Sequence, residues 1–144
     1  MASVKDIMVK KVITFTEDDN LMDAAKAMKK KNAGSVIIVK DDKPIGIITE
    51  RDLTQKVVAE NVNPSLAKTK QIMVSPLITV EPEADIYYAS KMMEDKKIKK
   101  MPVAENGKLV GIITMTDLAK YFTAQRKKFV LKHLDKSSRE EYPS

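Results

Sequence analysis

The chain has 144 residues, of which 43% are hydrophobic and 32% are charged, and its formal net charge is +6. This balance excludes a disordered or fibrous chain, and the length suits one compact body. The sequence has no cysteine and a single histidine, His133, which excludes disulfides, thiolate or histidine-cluster metal sites, and a histidine-based catalytic triad.

An internal duplication organises the chain. The segment IMVKKVIT from Ile7 recurs as IMVSPLIT from Ile72, and GIITERDL from Gly46 recurs as GIITMTDL from Gly111. Both pairs are 65 positions apart, and residues 7–53 compared without a gap with residues 72–118 share 16 identities in 47 positions. A fixed offset of this kind indicates a tandem repeat.

Each copy predicts the same order of elements. A β-prone run (12–15 and 77–80) leads into an acidic turn (16–20 and 81–85) that is typical of a helix start. The following helix has an apolar stripe, formed in the first copy by Leu21, Ala24, Ala25 and Met28 and in the second by Ile86, Ala89 and Met93. A hairpin (35–39 with 45–48, and 102–104 with 109–113) precedes a last helix after Thr49 or Thr114. Each unit is therefore βαββα.

The predicted fold is α+β, with two βαββα units packed sheet to sheet, because one small unit cannot cover both faces of its own sheet. We expect repeat 1 over residues 1–60, a linker over 61–68, repeat 2 over 69–124, and a basic C-terminal helix and tail over 125–144. The last residues of the tail are expected to fray.

The pairs Thr49 with Asp52 and Thr114 with Asp117 follow a strand in both copies. An isolated pair of this spacing is typical of a helix cap. An aspartate at a strand-to-helix junction is also well placed to accept hydrogen bonds from a ribose diol. The two roles can coexist.

At these residues the chain resembles the CBS domain family, in its stand-alone prokaryotic form. The resemblance covers residues 4–122 and rests on the IMxxxxxT-like opening, the apolar hairpin, and the glycine, two aliphatic residues, Thr, two residues and Asp that end each copy. It implies a pair of repeats about a pseudo-two-fold axis, with two clefts that bind AMP, ADP, ATP or related adenosyl ligands. It also implies a flat homodimer of two such pairs, and no required cofactor.

The resemblance further implies that each cleft takes Asp and Thr from one copy and its adenine-facing walls from the opening segment and middle strand of the other. The first cleft, called here the Asp52 cleft, would contain Asp52, Thr49, Ile47, Arg51, Ile72, Met73, Lys99, Lys100 and Met101. The second, called the Asp117 cleft, would contain Asp117, Thr114, Ile112, Ile7, Met8, Gly34, Ser35 and Val36.

The Asp52 cleft is expected to take phosphate, because Lys99, Lys100 and Arg51 supply positive charge beside a helix N-terminus. A simply solvated basic segment is the alternative for the two lysines. The Asp117 cleft has Thr116 in place of Arg51, and Gly34 and Ser35 in place of the lysines. We expect it to bind weakly, to bind an uncharged adenosyl group, or to stay empty.

The function expected from these features is non-catalytic. Neither a cysteine nucleophile nor a Gly-rich phosphate loop occurs in the sequence, and we expect an energy-sensing regulatory module that signals nucleotide occupancy to an unidentified target protein. No apolar run approaches the roughly 20 residues that span a bilayer, so we expect a cytoplasmic protein without a membrane partner.

The basic C-terminal segment leaves an alternative open. Its cations include Arg126, Lys127, Lys128, Lys132 and Arg139. They are compatible with nucleic-acid binding or a structural adaptor, although no recognition motif accompanies them. The same segment is also interpreted as a dimerisation helix, with an inward face formed by Phe129, Val130, Leu131 and Leu134.

Overall fold

The computed structural model describes residues 2–134. The first half contains helix α1 (Val4–Ile7), strand β1 (Thr14–Phe15), helix α2 (Leu21–Lys31), strands β2 (Ser35–Lys40) and β3 (Lys43–Thr49), and helix α3 (Glu50–Asp52), which continues as a π-helical segment (Leu53–Val58). The second half contains a 3-10 turn (Thr69–Gln71), helix α4 (Ile86–Lys96), strands β4 (Lys100–Glu105) and β5 (Lys108–Thr114), and helix α5 (Met115–His133). The mixed helix and strand content confirms the predicted fold class. Helix α1 was not identified from the sequence.

Helices α2 and α4 begin and end in the same way. Asn20 and Asp85 are their N-cap residues: Asn20 accepts from two backbone amides of the first turn and Asp85 from one. Their C-cap residues, Asn32 and Lys97, have left-handed φ angles of 50° and 56°. Apart from the half-buried Ala25, the predicted stripe residues are fully buried or nearly so. The amphipathic pattern therefore predicted both helices correctly.

The two hairpins are also equivalent. β2 pairs antiparallel with β3, and β4 pairs antiparallel with β5. Both turns have two residues of positive φ, Asp41 and Asp42 in the first and Asn106 and Gly107 in the second, as two-residue hairpin turns require.

The first strand of the second copy is shorter than expected. In the first copy, β1 pairs parallel with β2, and the Ile37 amide donates to the Ile13 carbonyl at 2.9 Å. Pro102 stands at the position equivalent to Ile37 and has no amide proton to donate. The run expected over 77–80 is therefore reduced to a single bridge, between Val80 and Val103.

The two repeats exchange their opening segments. Val4 of α1 is fully buried in the core formed by the helix and sheet residues of repeat 2, and its amide donates to the Ala84 carbonyl at 2.8 Å. Reciprocally, Ala67 and Ile72 lie in the core of repeat 1, and the Thr69 amide donates to the Asp19 carbonyl at 2.9 Å. Each core is therefore completed by the other copy.

A third apolar cluster lies between the sheets. It is centred on Ile37, Ile47 and Ile112, which confirms that the two units pack sheet to sheet. None of the helices within residues 2–134 combines the length and the apolar character needed to cross a bilayer.

Candidate functional site

The opening segment of each repeat lies against the last strand of the other. The Val9 amide and carbonyl both bond to the backbone of Ile112 at 2.9 Å. Val74 and Ile47 form the equivalent pair, at 2.9 and 3.2 Å. Ile7 and Met8 are thus placed next to β5, and Ile72 and Met73 next to β3.

Two glycines make this approach possible. A Cβ on Gly111 would lie 2.8 Å from both the Met8 sulfur and the Val9 carbonyl oxygen. A Cβ on Gly46 would overlap the Met73 sulfur and lie 2.9 Å from its Cγ. Sequence reasoning used these glycines to align the repeats but did not assign them a role. Their recurrence at the same position in both copies was the signal that could have found them.

Asp52 is held at the start of the helix that follows β3. Its Oδ2 accepts from the Thr49 amide at 2.8 Å and from the Thr49 hydroxyl at 3.0 Å, while the Thr49 Oγ1 accepts from the Asp52 amide at 3.3 Å. Asp52 is buried, with 8% of its surface exposed. The capping interpretation is therefore confirmed for this pair.

A lysine one turn later completes the surroundings of Asp52. The Lys56 Nζ lies 3.2 Å from Asp52 Oδ1 and donates to the carbonyl of Ile72 at 3.2 Å. One ammonium thus connects the acid of repeat 1 with the opening segment of repeat 2. Lys56 was not among the residues expected at the site.

Asp117 occupies the same place in the second copy with fewer partners. Its Oδ2 accepts from the Thr114 hydroxyl at 2.8 Å, and its amide donates to Thr114 Oγ1 at 3.1 Å. Within residues 2–134, no cation lies within ion-pair distance of this carboxylate. Asp117 is only half-buried, so its carboxylate is more available than that of Asp52.

The middle strands contribute through alternate residues. Ser35 pairs with Thr49 and Lys100 pairs with Thr114 within their own sheets. Since side chains alternate between the faces of a strand, Ser35 lies on the same face as Ile37, and Lys100 on the same face as Pro102, toward the other repeat. The Lys100 Nζ lies across the interface in the space beside Gly34, where a Cβ on that glycine would overlap it.

The side chains of Val36 and Met101, which were expected in the cleft walls, lie in the protein interior. Val36 and Met101 have no exposed surface and lie in the cores of their own repeats. The same alternation that turns Ser35 and Lys100 toward the other repeat turns these two side chains away from it. Val36 and Met101 are therefore not side-chain walls of a cleft. Gly34, in contrast, lies beside the Thr–Asp segment of its own copy, because the Glu50 amide donates to the Gly34 carbonyl at 3.1 Å.

The remaining expected residues divide into apolar walls and free charges. Ile47, Ile72 and Ile112 are buried, with 6 to 8% exposure. Arg51 and Lys99 are exposed. Neither has an ion-pair partner among the described residues, so both are available for an anion.

Comparison with known proteins shows the same two-copy organisation. The model of the CBS domain family matches residues 4–59 and 70–124. An uncharacterized protein of Methanopyrus kandleri is 43% identical over 118 residues, which are 81% of this chain and 60% of that protein. The chain thus spans less than two thirds of this relative.

Two solved structures have the same fold over both repeats. The CBS domain pair of protein MJ0100, in complex with 5′-methylthioadenosine and S-adenosyl-L-methionine, is 31% identical with a TM-score of 0.76, over 86% of this chain and 98% of that one. A hexameric CBS-CP12 protein from bloom-forming cyanobacteria is 28% identical with a TM-score of 0.78, over 97% of this chain and 80% of that one.

Proposed function

The chain belongs to the CBS domain family, whose members are generally regulatory and non-catalytic, and on this premise we propose that it binds an adenine nucleotide between its repeats. AMP, ADP and ATP are the proposed ligands. Occupancy is proposed to be signalled to a target protein, as an energy sensor does. No cofactor is required for this role.

The observation that supports the proposal is the crossed arrangement at each Thr–Asp pair. Thr114 is the last residue of β5 and Asp117 lies in the first turn of α5, and the opening segment of the other repeat lies along β5. A carboxylate that accepts hydrogen bonds thus stands next to an apolar wall, which suits a ribose diol and its base. The adenosyl ligands in the 31% identical MJ0100 domain pair support the same ligand class.

Exposed cations support a phosphorylated ligand. Lys99 and Arg51 are exposed, and the Lys100 ammonium lies between the repeats, at Gly34. Ammonium and guanidinium groups bind phosphate oxygens through charge-assisted hydrogen bonds. They are proposed to favour nucleotides over the uncharged nucleoside.

Helix α5 supports the proposed homodimer. Phe129, Val130 and Leu131 expose 64%, 39% and 54% of their surface, and apolar surface of this kind on a helix is suited to a second copy. Association through α5 is one route by which occupancy of the clefts can reach a partner protein. Residues 135–144 of the expected tail, which include Arg139, lie outside the described residues.

Calorimetric titration of AMP, ADP and ATP tests the proposed function. We expect the native protein to bind at least one of them, and the double variant Asp52→Asn/Asp117→Asn to lose about 10- to 100-fold in affinity, because hydrogen bonds to a charged acceptor contribute about 1.5–3 kcal/mol. Asn is chosen because its side-chain oxygen can still accept the hydrogen bond from Thr49 or Thr114, which are the N-cap residues.

Asp85→Asn is the matched control. It makes the same change at the N-cap of α4 and should leave the affinity unchanged. A double variant that binds as the native protein does would contradict the proposed site. No binding at millimolar concentration would contradict the proposed function and direct the search to nucleic-acid or protein partners of α5.

A further inference from the structure

The two clefts differ one helical turn after the aspartate. Repeat 1 has Lys56 there, and repeat 2 has Tyr121, 65 positions later. The Lys56 ammonium lies 3.2 Å from Asp52 Oδ1 and 3.2 Å from the carbonyl oxygen of Ile72. Tyr121 instead packs its ring edge-on against Phe122, at 5.8 Å between centroids.

The acceptor capacity of Asp52 is largely used. A carboxylate offers about four lone-pair positions. Oδ2 already accepts from the amide and the hydroxyl of Thr49, and Oδ1 interacts with Lys56. Only 11% of the side-chain surface is exposed. A ribose diol that donated to Asp52 would have to displace the ammonium.

The backbone around Lys56 is unusual as well. Residues Leu53–Val58 form a π-helical segment that begins directly after Asp52, and the Ala59 amide donates to the Thr54 carbonyl at 3.0 Å. Such π turns are rare and frequently occur at functional sites. The equivalent part of repeat 2 is continuous α-helix. The side chain and the backbone therefore both distinguish the two clefts.

Asp117 retains free acceptor capacity. Its Oδ2 accepts from the Thr114 hydroxyl at 2.8 Å. Within the described part of the chain, its Oδ1 has neither a hydrogen-bond donor nor an ion-pair partner. Both hydroxyls of a ribose can therefore bind without displacing another group.

We infer that Lys56 weakens ribose binding in the Asp52 cleft, so that the chain binds a ribose-containing ligand preferentially in the Asp117 cleft. The inference rests on the proposed function and specifies its site. It reverses the preference expected from the sequence, which favoured the Asp52 cleft on the basis of its cations. Lys56 determines specificity here as an internal competitor for the carboxylate.

Titration with adenosine isolates this effect, because adenosine has the diol but no phosphate that would respond to a lost positive charge. We expect the native protein to bind one equivalent, and Asp117→Asn to abolish that binding. Lys56→Met keeps an unbranched side chain and frees Asp52 Oδ1. It should strengthen adenosine binding in the Asp52 cleft by about fivefold, the equivalent of the ~1 kcal/mol upper value of an exposed ion pair.

Three controls accompany this variant. Lys127→Met removes an exposed lysine from α5 and should leave one equivalent bound. The ligand 2′,3′-dideoxyadenosine lacks the diol and should not gain affinity for Lys56→Met. The reciprocal variant Tyr121→Lys places a lysine four residues after Asp117, within reach of its carboxylate, and should weaken adenosine binding there by about fivefold.

The outcomes separate this inference from the proposed function. Two equal sites in the native protein, or loss of the native site in Asp52→Asn alone, would overturn the inference and leave the proposed function standing. An equal gain for dideoxyadenosine would overturn the role of the diol. If neither adenosine nor an adenine nucleotide binds to the native protein or to Lys56→Met, both are overturned.

Discussion

At the scale of single residues, Gly46 and Gly111 leave room for a methionine of the opposite repeat. The neighbours of the two glycines differ in kind. Gly111 faces a backbone atom, the Val9 carbonyl oxygen, which is itself bonded to Ile112. Gly46 faces the side chain of Met73, from its sulfur to its Cβ. A methionine can change rotamer, whereas a paired backbone cannot move without loss of its hydrogen bonds.

We therefore predict that Gly111→Ala is more destabilising than Gly46→Ala. The cost should be about 1–3 kcal/mol for Gly111→Ala, because a methyl group forced into a filled site separates Val9 from Ile112. Gly46→Ala should cost less. Urea unfolding of both variants measures the difference in the free energy of unfolding.

A second substitution serves as the control. Met73→Ala removes the side-chain atoms beyond Cβ and should largely relieve the Gly46→Ala variant, while Met8→Ala should not relieve Gly111→Ala, because the Val9 carbonyl remains in place. If the second substitution restored the free energy of unfolding equally in both double variants, crowding of side chains and not of the backbone would be the cause of the destabilisation.

At the scale of elements, the N-caps of α2 and α4 are equivalent in position and unequal in bonding. The Asn20 Oδ1 accepts from the amides of Met22 and Asp23, and its Nδ2 donates to the Ser65 carbonyl at 2.7 Å. Within residues 2–134, the carboxylate of Asp85 accepts a hydrogen bond from the Tyr87 amide alone. Asn20 thus caps α2 and also forms a hydrogen bond to the segment that connects the repeats.

Asn20→Ala should destabilise the protein by about 1–2 kcal/mol, and Asp85→Ala by about 0.5–1 kcal/mol, since a cap alone is lost in the second case. Asn20→Asp separates the two contributions, because it keeps the cap and removes the donor to Ser65. Thermal or urea unfolding shows which of these variants loses the most stability. A loss in Asn20→Ala no greater than that in Asp85→Ala would contradict the role of the connection.

At the scale of the whole molecule, the exchange of opening segments makes the two repeats one folding unit. Val4, near the N-terminus, is fully buried among residues of repeat 2, and Ile72 is buried among those of repeat 1. Neither core is complete without the other copy. The molecule is therefore expected to unfold in a single transition.

Val4→Ala tests this expectation. We predict a loss of about 1–3 kcal/mol from the removed buried methyl groups, with faster amide exchange in β4 and β5, which are distant in sequence, as well as in α1. Hydrogen exchange with mass spectrometry resolves these segments. Val9→Ala is the matched control, because Val9 is 44% exposed and its truncation should change stability by no more than about 0.5 kcal/mol. Separate unfolding of the two halves would contradict the shared core.

Much of this organisation was predictable from the sequence. The order of strands and helices, the buried stripes and the Thr–Asp caps follow from patterns within about 15 residues, and the duplication follows from the recurrence of those patterns. The exception is the first strand of repeat 2, where Pro102 removes a donor that the β-prone run over 77–80 needed. Its effect was not read from the sequence because the pairing partner is more than 20 residues away.

The candidate site was predicted less completely. Thr49, Asp52, Thr114 and Asp117 were found from their repetition. Val36 and Met101 were expected in the cleft walls, but their side chains lie in the cores, because the family pattern marks a strand segment without deciding which of its residues face inward. Lys56 was missed, since its bond to the Ile72 carbonyl spans 16 residues and depends on where the π-helical segment directs its side chain.

By itself, the sequence determined that this protein is a tandem βαββα repeat, because duplicated motifs and hydrophobic periodicity express short-range preferences of the chain, and its motifs resemble those of the CBS domain family. Only the tertiary structure decided that each opening segment completes the core of the other repeat. It also decided that an ammonium lies against only one of the two aspartates that stand at equivalent positions in the repeats. These features depend on which distant apolar faces can be buried together and on which polar groups that burial brings within hydrogen-bond distance. Local patterns do not contain that information.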